Sequence, residues 1–88
     1  MLKDYEEEVL FRMFDNKIIA MNYCAVENVA STIKWQTIAK KFRVKKSFPS
    51  VLGHLHSKDY IDDHGKSGAV ASLTRLGTDY VMGKRAKS

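Results

Sequence analysis

One cysteine, one proline and five glycines are all that the 88-residue chain holds of the residues that crosslink, kink or loosen a fold. Cys24 stands alone, so an intramolecular disulfide is excluded, and with it the CxxC pairs of zinc and redox sites. A reducing, intracellular setting suits such a chain. No run of about 18 apolar residues is present to span a bilayer, and the opening Met1, Leu2, Lys3, Asp4, Tyr5, Glu6 lacks the charged-then-apolar order of a secretory signal. The expectation is a protein of the cytosol or nucleoplasm with no membrane partner. Low-complexity stretches, internal repeats and interdomain linkers are absent as well, and the length suffices for one hydrophobic core, so a single domain is expected.

Catalytic signatures are also missing. There is no Gly-rich phosphate loop, no HExxH and no nucleophile elbow, and the scattered carboxylates form no acid–base pair, so neither an enzyme nor a cofactor is expected. His54 and His56 lie two apart in a predicted helix and point to nearly opposite sides, while His64 is isolated, so no metal site is expected. Cys24 has no basic neighbour in sequence and reads as an inert thiol. Nothing in the sequence marks a small-molecule site.

What is present is a foldable composition with an uneven charge. Hydrophobic residues make up 44% and charged residues 28%, which fits a packed domain and not a disordered chain. The net charge of +5 conceals two halves: residues 1–31 hold three Lys/Arg against six Asp/Glu, and residues 32–88 hold twelve against four. Lys40, Lys41, Arg43, Lys45 and Lys46 put five cations within seven residues. A polyanion is the natural partner of such a cluster, against the alternative that it only solubilises the surface.

Apolar spacing divides the chain into elements. Tyr5, Val9 and Met13, with Leu10 and Phe14 beside them, predict a first helix, with Asp4, Glu6, Glu7 and Glu8 at its dipole-favoured end. After a break at Asp15 and Asn16, the recurrence of Ile18, Met21, Ala25 and Val29 predicts a second helix, ended by Ser31 and Thr32, with Thr32 and Ile33 as a short strand. Trp35, Ile38, Ala39 and Phe42 stand at i, i+3, i+4 and i+7, and Phe48, Val51, Leu52 and Leu55 repeat the pattern; Ser47 followed by Pro49 marks the start of the later helix. These aromatic stripes, Trp35 and Phe48 included, are core residues. The period then shortens to two: Tyr60 and Ile61 enter a β-hairpin, 62–68 turn, and 69–73 return. Leu73, Leu76, Gly77 and Tyr80 predict a last helix, capped by Thr74 and running to about Met82, followed by a mobile basic tail.

Across residues 33–82 this order resembles the winged helix-turn-helix superfamily of DNA-binding proteins, in the manner of small bacterial and archaeal transcriptional regulators. The resemblance rests on Trp35-Gln36-Thr37-Ile38-Ala39-Lys40-Lys41-Phe42 as the first motif helix, 47–58 as the recognition helix, Tyr60-Ile61 entering the wing, and Leu73-Thr74-Arg75-Leu76-Gly77, which matches an LTxxG ending common in such regulators. Arg43 and Asp59 depart from the pattern, since many members carry glycine there. The fold implied is α+β: a three-helix core with a C-terminal β-hairpin wing, an extra N-terminal helix and a C-terminal helix. Its divisions are a helical part at 1–31, a helix-turn-helix at 32–58, a wing at 59–73 and a helix at 74–83, with 84–88 as the basic tail.

The family sets its second motif helix in the major groove of duplex DNA. That mapping turns Lys46, Ser47, Ser50, Gly53, His54 and Lys58 outward and assigns phosphate contacts to Lys40, Lys41, Arg43, Lys45, Lys46 and the wing Lys66. No Arg or Asn is positioned to fork onto guanine or adenine, so modest base readout and steep salt dependence are expected. Asp62 and Asp63 at the wing base argue against deep wing insertion. The implied role is transcription regulation in the cytoplasm (nucleoid-associated) or the nucleus. The alternative is a winged-helix module for protein–protein contact without DNA binding, which neutralisation of Lys40 to Lys46 by the acidic N-terminal helix would favour. Phe11, Met13, Phe14, Ile18, Ile19, Met21 and Tyr23 offer more apolar surface than a three-helix core requires, for which a homodimer through the N- and C-terminal helices is one outlet and the protein's own core the other.

Overall fold

Asp4, Glu6 and Glu7 occupy the first turn of a helix and Arg12 its last, the polarity that the peptide dipole favours, and α1 runs over Asp4–Asp15. The computed structural model describes residues 2–64 and 70–87. After α1 come β1 (Cys24–Ala25), α2 (Val26–Thr32), α3 (Trp35–Phe42), α4 (Phe48–Ser57), β2 (Ile61–His64), β3 (Val70–Leu73) and α5 (Arg75–Ala86). The described residues thus form a small α+β domain of five helices and one antiparallel sheet in the order β1-β3-β2. Cys24 lies opposite Ala71 on one side of β3, and Ile61 opposite Leu73 on the other.

Three helices end by one device. After α1, Lys17 takes a left-handed φ of 61° and the Ile18 N–H donates to the Met13 carbonyl at 2.9 Å. After α3, Arg43 has φ 54° and the Val44 N–H donates to Ala39 at 2.8 Å; after α4, Asp59 has φ 66° and the Tyr60 N–H donates to Leu55 at 3.1 Å. These are Schellman turns, which satisfy carbonyls that a helix leaves open and send the next residue back toward the domain. None of the three pivots is glycine, although a left-handed backbone costs an ordinary residue about 1 kcal/mol or more. Arg43 and Asp59, the two non-glycine residues noted in the predicted turns, therefore adopt the strained backbone themselves.

The first of these turns overturns the predicted second helix. With Lys17 left-handed, Ile18 and Ile19 leave α1 extended and run beside β3: the Leu73 N–H donates to the Ile18 carbonyl, and the Ala20 N–H to Leu73, both at 2.9 Å. Ala20 is left-handed as well (φ 55°), which ends any helical path before Met21. A helix begins only at Val26, so Cys24 lies in β1 and not in a helix. Thr32 and Ile33 form no strand; the Ile33 N–H closes α2 onto Val29 at 2.9 Å. At the other end α5 continues past Met82 to Ala86, where a mobile tail was expected.

The core gathers residues from every helix, among them Val9, Leu10 and Met13 of α1, Val29 of α2, Ile38 of α3, Val51 and Leu55 of α4 and Val81 of α5, over Ile61, Ala71 and Leu73 of the sheet. Trp35 packs on Phe48 with ring centroids 5.2 Å apart, as their assignment to packing requires. Phe11, Phe14 and Ile19 pack half-buried on this core, so most of the apolar surplus of the N-terminal third is used inside the domain; Met21 and Tyr23 are the exceptions, 90% and 38% exposed. The Leu73-Thr74-Arg75-Leu76-Gly77 phrase has a structural reason at three positions. Leu73 is buried, Thr74 Oγ1 accepts the Gly77 N–H at 3.0 Å and donates to the Asp59 carbonyl at 2.6 Å, and a Cβ on Gly77 would stand 2.2 Å from the Tyr60 carbonyl oxygen. Only glycine lets α5 come this close to the end of α4.

Candidate nucleic-acid interface

Ile38 and the α4 residues Phe48, Val51, Leu52 and Leu55 are buried, and this fixes what α3 and α4 turn to solvent. On α3 the exposed residues are Gln36, Thr37, Lys40 and Lys41; the connection adds Arg43, Lys45 and Lys46; α4 adds Ser50, Gly53 and His54. Gln36, Thr37, Lys40 and Lys41 line an open depression of about 520 Å³. Next to it, Glu27, Ser31, Lys34 and Trp35 border a cleft of about 360 Å³ at the corner of α2 and α3. Lys40 and Lys41 sit in the last turn of α3, where the dipole favours cations. Lys45 and Lys46 are placed the opposite way, just ahead of the positive end of α4, whose first turn contains no acidic residue. Ser47 caps that end by accepting the Ser50 N–H at 3.4 Å. Two cations beside an already positive helix end make a local excess that an anion relieves.

The acidic half does not relieve it. Glu8 pairs with Arg12 at 2.8 Å, Glu7 with Lys84 at 3.4 Å, and Asp15 takes two hydrogen bonds from Arg85, that to Nη2 at 2.8 Å. Arg85 holds the Asp15 carboxyl below its ordinary value by these hydrogen bonds, against the small cost of burial. The same guanidinium lies over the Phe11 and Phe14 rings, 5.3 and 5.7 Å from their centroids. Glu7 also accepts a hydrogen bond from the Tyr80 hydroxyl, and burial followed by that bond raises the Tyr80 pKa. Lys84 and Arg85, expected in a free tail, are thus bound to α1. Among the described residues, none of Lys40, Lys41, Arg43, Lys45 and Lys46 forms an ion pair.

Among the described site residues, His54 is the one hydrogen-bonded to the acidic half. Its Nδ1 meets Oε2 of Glu6, while Oε1 of Glu6 accepts the Lys3 N–H at 2.9 Å. Glu6 is 1% exposed, yet it is ionised more readily than usual: burial opposes its charge, but the Lys3 N–H, the His54 ring and the nearby Lys58 outweigh that and hold its pKa below the ordinary 4.5. Lys58, half-buried, therefore faces Glu6 as well as solvent. His56 Nδ1 is set on the Ile61 carbonyl at 3.0 Å, on the far side of the helix from His54.

Nine of the ten residues singled out from the sequence lie on or beside α3, α4 and their connection; Lys66 lies outside the described residues. Gln36 and Thr37 were missed although their exposed places next to Lys40 and Lys41 follow from the stripe of Ile38 and Ala39. Glu6 was missed too. Its signal was position: it stands three and four residues before Val9 and Leu10, on the buried face, where a carboxylate needs a partner. Comparison with family models, with curated proteins and with solved structures finds no match for the chain.

Proposed function

We propose that the protein is a winged helix-turn-helix double-stranded DNA-binding protein, acting as a transcriptional regulator, with α3 and α4 as the motif and α4 as the recognition helix. The observation that carries this reading is the exposed cluster Lys40, Lys41, Arg43, Lys45 and Lys46, which no carboxylate among the described residues answers. The element order supports it: two short helices joined by a tight turn, then β2 and β3, with β1 completing the sheet on the other side of β3. Phosphates answer the cations, and Ser47, Ser50 and His54 face the groove, so affinity comes chiefly from charge and base discrimination is modest.

The test is a fluorescence anisotropy titration of a random-sequence duplex with the wild type, with K40A/K41A/K45A/K46A, and with K84A/R85A, which removes two cations from the end of α5, as a control outside the motif. Binding that weakens steeply in the first variant and little in the second supports the reading. Equal losses in both, or no binding by the wild type even at low salt, refutes it and points to the protein-interaction module.

A further inference from the structure

We infer that the buried Glu6 is a positioning residue that fixes His54 on α4 as a proton-dependent contact to a hydrogen-bond acceptor of duplex DNA. The inference rests on the DNA-binding reading above and adds to it a residue from α1, outside the motif, and a contact that only the protonated ring can make.

The geometry leaves the ring little choice. Glu6 is ionised and can only accept, and its two oxygens are taken by the Lys3 N–H and by His54 Nδ1. Nδ1 therefore carries a hydrogen in either charge state of the ring. The other nitrogen, Nε2, has no partner among the described residues, and the His54 side chain is 45% exposed. It bears a lone pair when the ring is neutral and an N–H when the ring is protonated. Phosphate oxygens and the O6 and N7 atoms of guanine are acceptors, and Ser50, Gly53 and His54 recur at helical spacing on the exposed face of α4, whose N-terminal end adjoins Lys45 and Lys46. Only the protonated ring can donate to them, and the Glu6 carboxylate behind it balances the imidazolium. The charged groups that face the ring are Glu6 from α1 and, from the end of α4 itself, Lys58, which acts on Glu6. Binding at this position thus requires the protonated ring, a demand that the Lys and Arg contacts do not make.

The experiment follows duplex affinity at constant salt from pH 6.0 to 8.5 by anisotropy, for the wild type, H54Q, E6Q and H56Q. The wild type and H56Q are expected to weaken at least about tenfold more across this range than H54Q, since one fully linked proton produces a tenfold change for each pH unit. E6Q is expected to bind with a pH profile flattened toward that of H54Q, which a purely structural role of Glu6 would not cause. Identical profiles for wild type and H54Q, both binding, overturn the inference alone; absence of wild-type binding at every pH overturns it together with the DNA-binding reading. Because E6Q can also unfold α1, nitrogen-15 NMR of the wild-type imidazole gives an independent check: Nδ1 protonated in the neutral ring is expected, and Nε2 protonated instead overturns the inference. Alternating AT and GC duplexes separate the two acceptors. Linkage on GC alone identifies guanine, and equal linkage on both identifies an acceptor the two duplexes share, a phosphate oxygen or a purine N7.

Discussion

The two faces of this domain handle charge in opposite ways. On the α1–α5 side three acids each have a base: Glu7 meets Lys84, Glu8 meets Arg12, and Asp15 meets Arg85 over two aromatic rings. On the α3–α4 side five cations stand close together without a counter-ion among the described residues, two of them against a helix dipole. The chain has acids to spare in its first half, yet among the described residues none of them pairs with the cluster. Ion pairs on the first side serve to hold the last helix to the first; the open charge on the second side costs stability, and the DNA contact proposed above would offset it.

The largest test of that contrast is the four-lysine variant K40A/K41A/K45A/K46A. Its duplex affinity is expected to fall by more than about a hundredfold at low salt, while its melting temperature holds or rises, as measured by anisotropy and circular dichroism. Next is Gly77→Ala, which pushes α5 off the Tyr60 carbonyl and so loosens the Lys84 and Arg85 pairs. A loss of about 3 kcal/mol in urea unfolding is expected, and a loss below about 0.5 kcal/mol would show that α5 is not held where it is described. Arg43→Gly sharpens the comparison at one residue. Removing the left-handed strain should stabilise the fold by up to about 1 kcal/mol while duplex affinity drops several-fold; a fall in both would mean that Arg43 is structural.

The smallest effect concerns acid. Glu6 and Asp15 have pKa values lowered in the fold from the ordinary 4.5 and 3.8, so the stability they add is complete above those values and is lost as pH falls through the lower folded ones. Urea midpoints between pH 2 and 6 should therefore decline on the acid side in the wild type and less steeply in Asp15→Asn, whose partner Arg85 keeps its charge throughout. An Asp15→Asn profile parallel to the wild type would remove the Arg85 pair from the account.

How far the sequence could be read depended on what each residue faces. The stripes of α3 and α4 were legible because their apolar residues all meet one core, and Ser47 and Thr74 were legible as caps because their hydroxyls accept the N–H three residues on. Residues 17–25 were not, since Ile18, Met21 and Ala25 have helical spacing while the decisive features are a left-handed Lys17 and a ladder to Leu73, fifty residues away in sequence. The end of α5 was misread for a related reason: Lys84 and Arg85 are organised by acids on α1 and not by an apolar face. Of the site, the cations were visible as a run; Glu6 became visible only when α1 and α4 were seen to meet.

The most direct measurement of the central claim is the slope of log K against log salt for the wild type and the four-lysine variant on one random duplex. With phosphate contacts from Lys40, Lys41, Arg43, Lys45, Lys46 and Lys66, the wild-type slope is expected to be on the order of −5, and the loss of four contacts should bring it to about −2. A wild-type slope near zero, or a slope unchanged in the variant, would contradict the assignment of this surface to DNA.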